Sequence, residues 1–397
     1  MQLKAYKAAE EIYVYGTHAK SSLADIAMNR VRSFIPEFEL FSSYYQSPFY
    51  AHNIVMGALD GTYTEGLTDS QRRLFVLKFS QTLVMEQTAL GAMYEAVEIC
   101  DAEQDSEGRT SESSWNEAAG ILLGSVERNK LSDSENWYAP YDLAQRHCKE
   151  FGTCGPSDVA FSNERLVERL NAGRNALHLG NCNIARTIIV EVASILRIPI
   201  IQALLSASLG LSPSSRSDED VAEAYIFSRT LLPLIEDIDG SVATSVEGAA
   251  ALGGAFDETS AYKISAGLLT VYEELAIACG QIGRTADFDP CNIPITPGTK
   301  PKGPNTGIIV GSILIALAIM IVIAAIIWDR KEAKELKRIL AEENSYSSDE
   351  EDSDSAGSID PKYKSFRNYG FSISSKADDV LRSIYGYGDD TPVVGEN

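Results

Sequence analysis

Apolar positions along this chain recur mostly at helical spacing, and polar or Gly/Pro-rich breaks divide them into successive helices. Within residues 1–32, KAAEEIYVYG and SSLADIAMNRVRSF read as helix, with Ser22 and Asp25 resembling a capping box in which Asp replaces Glu. Residues 68–101 read as one long helix capped by Thr68 or Asp69, with Glu86 inside its apolar stretch. AEQDSEGRTSESS is a polar loop, and a helix follows from Trp115. The run from FSNERLVERL to LLSASLGL reads as consecutive helices broken near Gly180 and Pro199. Two more helices are expected around EDVAEAYIFSRTLLPLIEDIDG and SAYKISAGLLTVYEELAIACGQIG. Alternating strand patterns are sparse, so the fold class expected is all-α.

One apolar run differs from the rest. Gly307 to Trp328 carries no charge and no polar face. As a helix it spans the ~30 Å hydrocarbon core with some tilt. Arg330, Lys331, Lys334, Lys337 and Arg338 follow it, against Lys300 and Lys302 before it, which places the C-terminal side in the cytoplasm. The expected organisation is a helical ectodomain over 1–285, a Pro/Gly-rich stalk over 286–306, a transmembrane helix over 307–328 and an acidic tail over 329–397. The stretch around Arg197 and Pro199 is apolar enough to raise a second span, but Glu191, Arg197 and Gln202 favour burial in protein. Exporting such an ectodomain calls for a signal peptide. MQLKAYKAAEEIYVYG has no apolar core, so the expectation is that a leader precedes this sequence.

Charge and cysteine sharpen the picture. A net charge of −22 argues against nucleic acid as a partner and permits cation binding. All six cysteines precede the apolar run, an even count that suits a disulfide framework on the outer side. A local bridge between Cys148 and Cys154 is one expectation; a zinc site including His147 is the weaker alternative, because CxxC and HxxxH pairs are absent. GxSxG, HExxH, GxxxxGK[ST] and a Rossmann glycine pattern are also absent, so no enzyme is expected.

The candidate chemistry lies in FIPEFELFSSYYQSPFYAHNIVMGALDGTY. Tyr44, Tyr45, Tyr50, His52 and Asp60 supply oxygen and imidazole donors to a metal, against the plainer reading of aromatic packing. Gln81–Glu86 lines up with Arg186–Glu191, which suggests two similar helical bundles, each with one carboxylate on an apolar helix. Glu86 and Glu191 are thus alternative ligands, and Arg186 is a partner for Glu191 or an anion anchor.

Several strings occur together in order: SFIPEFELFSSYYQSPFYAHNIVMGALDG, WNEAAGILLGSVE, YDLAQRHCKEFGTCG, AGRNALHLGNCNIAR, RIPIIQALL and LLPLI. They resemble the low-iron-inducible periplasmic proteins of green algae and the phytotransferrins of diatoms, over roughly residues 10–285. The resemblance implies a membrane-anchored cell-surface protein that binds ferric iron with carbonate and is internalised. His52 departs from the acidic residue expected in that string. In the tail, Tyr363 and Phe366 fit a tyrosine-based internalisation signal that an endocytic adaptor would read. Gly307 and Gly311 permit a homodimer through the span. The competing reading is a metal-free surface adhesion or structural protein.

Overall fold

The computed structural model describes residues 2–16, 21–29, 36–102, 110–124 and 139–293, apart from 213, 215, 255 and 258. The expected transmembrane helix at 307–328, the tail with Tyr363 and Phe366, and most of the expected stalk lie outside the described residues. Among the described residues the chain is all-α, with one isolated bridge between Cys154 and Ala160.

The helices are α1 (Gln2–Tyr15), α2 (Leu23–Asn29), α3 (Phe38–Tyr44), α4 (Tyr50–Asp60) and α5 (Asp69–Phe79). A π-helical segment, Ser80–Glu86, joins α5 to α6 (Gln87–Ala102). Then come α7 (Ser111–Leu123), α8 (Pro140–His147), α9 (Phe161–His178), α10 (Cys182–Leu209), α11 (Asp218–Ile238), α12 (Gly240–Ala249), α13 (Ser260–Val271) and α14 (Cys279–Ile282).

Side-chain caps set several starts. Thr68, one of the two expected caps, exchanges hydrogen bonds with Gln71 at the head of α5. Thr110 and Ser113 do the same for α7, which therefore begins four residues before Trp115 rather than at it. Ser217 and Asp220 close α11 in the same way.

The expected break at Pro199 does not occur. Gly180, with φ +70°, ends the α9 turn, but α10 runs unbroken through Pro199 to Leu209. Proline removes one backbone hydrogen bond, and burial against α9, α11 and α13 holds the helix continuous. α10 is long and apolar enough to cross a membrane, yet 83% of its most apolar window is buried inside the protein. It is the central core helix.

Two apolar cores meet along α10. One gathers α1–α5, part of the π segment, the C-terminal half of α10 and α11–α14. The other gathers α6, α7, α9 and the N-terminal half of α10. The cores are not successive halves of the chain, so the expected pair of tandem bundles is replaced by two interleaved ones.

The cysteines form three disulfides: Cys100–Cys182, Cys148–Cys154 and Cys279–Cys291. His147 pairs with Glu150 at 3.3 Å, and with Cys148 bridged to Cys154 the zinc alternative falls. Residues 286–293, expected to belong to the stalk, are folded onto the helices. Phe288 is buried against Tyr262, Ser265 donates to the Pro290 carbonyl, and Cys291 is bridged back to α14, so this stretch belongs to the folded unit.

Candidate metal and anion site

The site is built where α3, α11 and α12 converge around Arg229. On α11, Tyr225 and Arg229 stand four residues apart on one face. One turn further on, Pro233 lacks the N–H that would bond the Arg229 carbonyl. Tyr45, from the end of α3, donates its hydroxyl to that carbonyl at 2.7 Å. The proline and the tyrosine together anchor α3 on α11 and leave the Arg229 side chain directed among phenol rings.

Those rings enclose it. The guanidinium carbon lies 5.1, 5.6 and 5.8 Å from the ring centres of Tyr44, Tyr45 and Tyr225. Its Nη1 donates to the Tyr44 hydroxyl at 3.0 Å and to Glu247 Oε1 at 2.5 Å. Its Nε is buried without a hydrogen-bond partner, a cost that a bound acceptor would remove.

Tyr63 reaches the cluster because Gly57 has no side chain. The Tyr63 N–H donates to the Gly57 carbonyl at 2.9 Å, and a Cβ on Gly57 would lie 2.7 Å from that of Tyr63. The Tyr63 and Tyr225 hydroxyls are 3.3 Å apart.

A cleft of about 630 Å³ opens beside this cluster. Tyr44 and Ser43 line it from α3, Arg229, Glu236 and Asp237 from α11, and Thr244 and Glu247 from α12. Three carboxylates face one guanidinium, so the cleft as a whole favours a cation while one point in it favours an anion. Burial pushes the Tyr44 hydroxyl up to about 12, with Arg229 opposing and Glu247 and Glu236 adding. Burial raises Tyr45 and Tyr225 further. Without a metal these groups are neutral phenols at physiological pH.

No protein-family model, curated protein or solved structure matches this chain. The reading of the site therefore rests on its residues.

Of the candidates expected from sequence, the structure brings Tyr44 to the cleft. Tyr45 is beside it as a structural hydrogen-bond donor. Tyr50 is buried within the aromatic packing of Phe38, Phe41 and Tyr45, and its hydroxyl is unpartnered. His52 stacks on Tyr13, whose hydroxyl is 3.5 Å from its Nδ1, and burial lowers its pKa. Asp60 caps the turn after α4 by accepting from the Thr62 N–H and hydroxyl.

Glu86 is buried in the π segment, as expected of a carboxylate on an apolar helix. Glu191 is not: its side chain is 40% exposed and pairs with Arg169 at 3.2 Å, not with Arg186. Arg186 pairs with Asp101 at 2.6 Å and Glu98 at 3.5 Å, a surface network beside the Cys100–Cys182 bridge. Their positions in sequence made Arg186 and Glu191 look like a pair, but α10 turns them toward different partners.

The residues that sequence reasoning missed are Tyr63, Tyr225, Arg229, Glu236, Asp237 and Glu247. The available signal was YIFSR followed by LLPLIED, a tyrosine and arginine on one helix face with a proline ahead of two carboxylates. Among the described residues no group of three or more His, Cys, Asp or Glu could hold a metal ion, so a metal here depends on phenol oxygens.

Proposed function

We propose that this chain is a cell-surface protein that binds ferric iron together with carbonate in the Arg229 cleft and carries it into the cell. The observation that carries the reading is the cleft-lining Tyr44 phenol bonded to an arginine whose Nε is buried and unsatisfied, in a carboxylate-lined cleft with the Tyr63 and Tyr225 hydroxyls paired beside it. Ferric iron is a hard cation that prefers phenolate and carboxylate oxygen. Tyr44, Tyr225 or Tyr63, and Glu247 or Glu236, are the donors. Arg229 is the anion anchor in place of Arg186, because a guanidinium can hold carbonate through two parallel N–H bonds. Iron would displace the Arg229–Glu247 contact and take the carboxylate, leaving Arg229 to the anion. The resemblance to low-iron-inducible and phytotransferrin proteins supports the same reading. So does the apolar run at 307–328, which would anchor the site outside the membrane.

The test uses the full chain in detergent, titrated with a weak ferric chelate with and without bicarbonate. The expected result is a visible phenolate-to-iron absorption band that requires bicarbonate. Tyr44→Phe should weaken binding, and Arg229→Gln should abolish the bicarbonate requirement along with most of the affinity. No band under either condition overturns the proposal.

A further inference from the structure

α3 and α11 wall a second, smaller space of about 30 Å³, enough for a single water molecule. On α3, Tyr44 faces the cleft and Phe41 faces this inner space. On α11, Arg229 faces the cleft and Thr230 faces inward. The inner space is bounded on its far side by Glu86, the last residue of the π segment. Short π insertions turn one side chain out of the helical register and recur at functional positions.

Glu86 is 5% exposed, and its Oε1 has no hydrogen-bond partner; Gln87 Oε1 beside it has none either. Arg197 of α10 lies between two carboxylates. It donates to Glu37 Oε1 at 3.0 Å and to the Leu275 carbonyl at 3.4 Å, while Glu86 feels it only electrostatically. Glu37 is the N-cap residue of α3, and its side chain makes no capping bond; it is spent on Arg197. The other titratable groups acting on this cluster are Tyr94 of α6 and Tyr50 of α4, both neutral phenols. Thr82, Gln87 and Thr230 complete the polar lining and do not titrate.

Arg197 has one bonded carboxylate, Glu37, and one competitor for it, Glu86. A neutral Glu86 leaves it on Glu37. An ionised Glu86 is buried, and Arg197 is the cation that acts on it.

We propose that Glu86 is a positioning residue for the tyrosine–arginine cleft: as a carboxylic acid it leaves Arg197 on Glu37, and as a carboxylate it draws Arg197 away and releases the first turn of α3, which carries Tyr44. Burial favours the acid form, with Arg197 opposing. The device therefore holds α3 in place while Glu86 is the acid and loosens it as pH rises through the Glu86 pKa. The coupling from Glu86 to α3 stands by itself; its meaning for cargo rests on the cleft reading above.

The experiment is hydrogen exchange on the full chain in detergent, following the amides of 38–45 and correcting for the intrinsic pH dependence of exchange. In the wild type, protection of α3 should fall by about tenfold as pH rises through the Glu86 titration. In Glu86→Gln, which mimics the acid, protection should stay high and flat. In Arg197→Gln, which removes the anchor, it should be low and flat, and this variant decides the matter should Glu86→Gln not fold. A wild-type profile retained in either variant overturns the proposal, as does pH-independent protection in the wild type. A ferric titration run in parallel separates the two claims. Absence of iron binding in all variants would count against the cleft reading alone, whereas iron binding with an unchanged pH profile in Glu86→Gln would count against the coupling.

Discussion

Three tyrosines in one string have three different jobs. Tyr45 satisfies the Arg229 carbonyl that Pro233 orphans. Tyr45→Phe leaves that carbonyl unmet and is expected to cost about 1–3 kcal/mol in urea unfolding. Tyr50 buries a hydroxyl with no partner, so Tyr50→Phe removes an unmet polar group and is expected to leave stability equal or higher and iron binding unchanged. Tyr44 alone of the three faces the cleft, and its pKa is pushed up to about 12, mainly by burial. Coordination as phenolate therefore releases a proton at any physiological pH, so affinity should rise with pH by about tenfold per unit for each phenolate formed, and fall as pH drops. A competition titration against a chelator of known pH dependence reads this slope, and a flat profile removes Tyr44 from the ligand set. Aromatic density made the string legible in the sequence. It could not separate the three roles, because they are decided by Arg229 and Pro233, which lie far along the chain.

At the scale of elements, sequence legibility follows locality. The start of the helix at Thr68 or Asp69 was readable because a cap lies directly before an apolar run, whereas the pairing of Thr68 with Gln71 was seen only in the structure. The start of α7 was missed because Thr110 and Ser113 lie in a polar run that reads as loop. The π segment was invisible for a different reason: one inserted residue leaves an apolar run apolar, and the 69–102 stretch reads as a single helix. Contacts between elements were least legible. Trp115 of α7 donates its indole N–H to the Leu170 carbonyl at 2.8 Å and its ring packs directly on Gly173 of α9. A Cβ at Gly173 would sit 1.9 Å from the Trp115 ring, too close for any small adjustment. Gly173→Ala should thus destabilise the α6–α7–α9 core by about 1–3 kcal/mol or more, although alanine is the better helix former. Unchanged urea unfolding of Gly173→Ala would mean that α7 does not pack on α9 in this way.

For the whole molecule, the even cysteine count before the apolar run predicted a disulfide framework, but not its pairing, which the interleaving of the two cores decides. Cys100 lies in the last turn of α6 and Cys182 begins α10, so their bridge joins two helices of one core across 82 residues of sequence. Cys148 and Cys154 are only six apart and close a local turn. If a disulfide acts mainly by limiting the unfolded chain, the loss on removing it grows with the loop it closes. That argument assigns about 4.5 kcal/mol to the long bridge and about 2 kcal/mol to the short one. The long bridge also holds the ends of α6 and α10 beside the Arg186–Asp101–Glu98 network, which contributes little at an exposed surface. Replacing Cys100 and Cys182 together by Ser should therefore lower the urea midpoint of the full chain well beyond the effect of replacing Cys148 and Cys154 together. Equal losses, or the reverse order, would show that the bridges act through the native state rather than through the unfolded chain, with the turn around Cys148 the more strongly determined part of the fold.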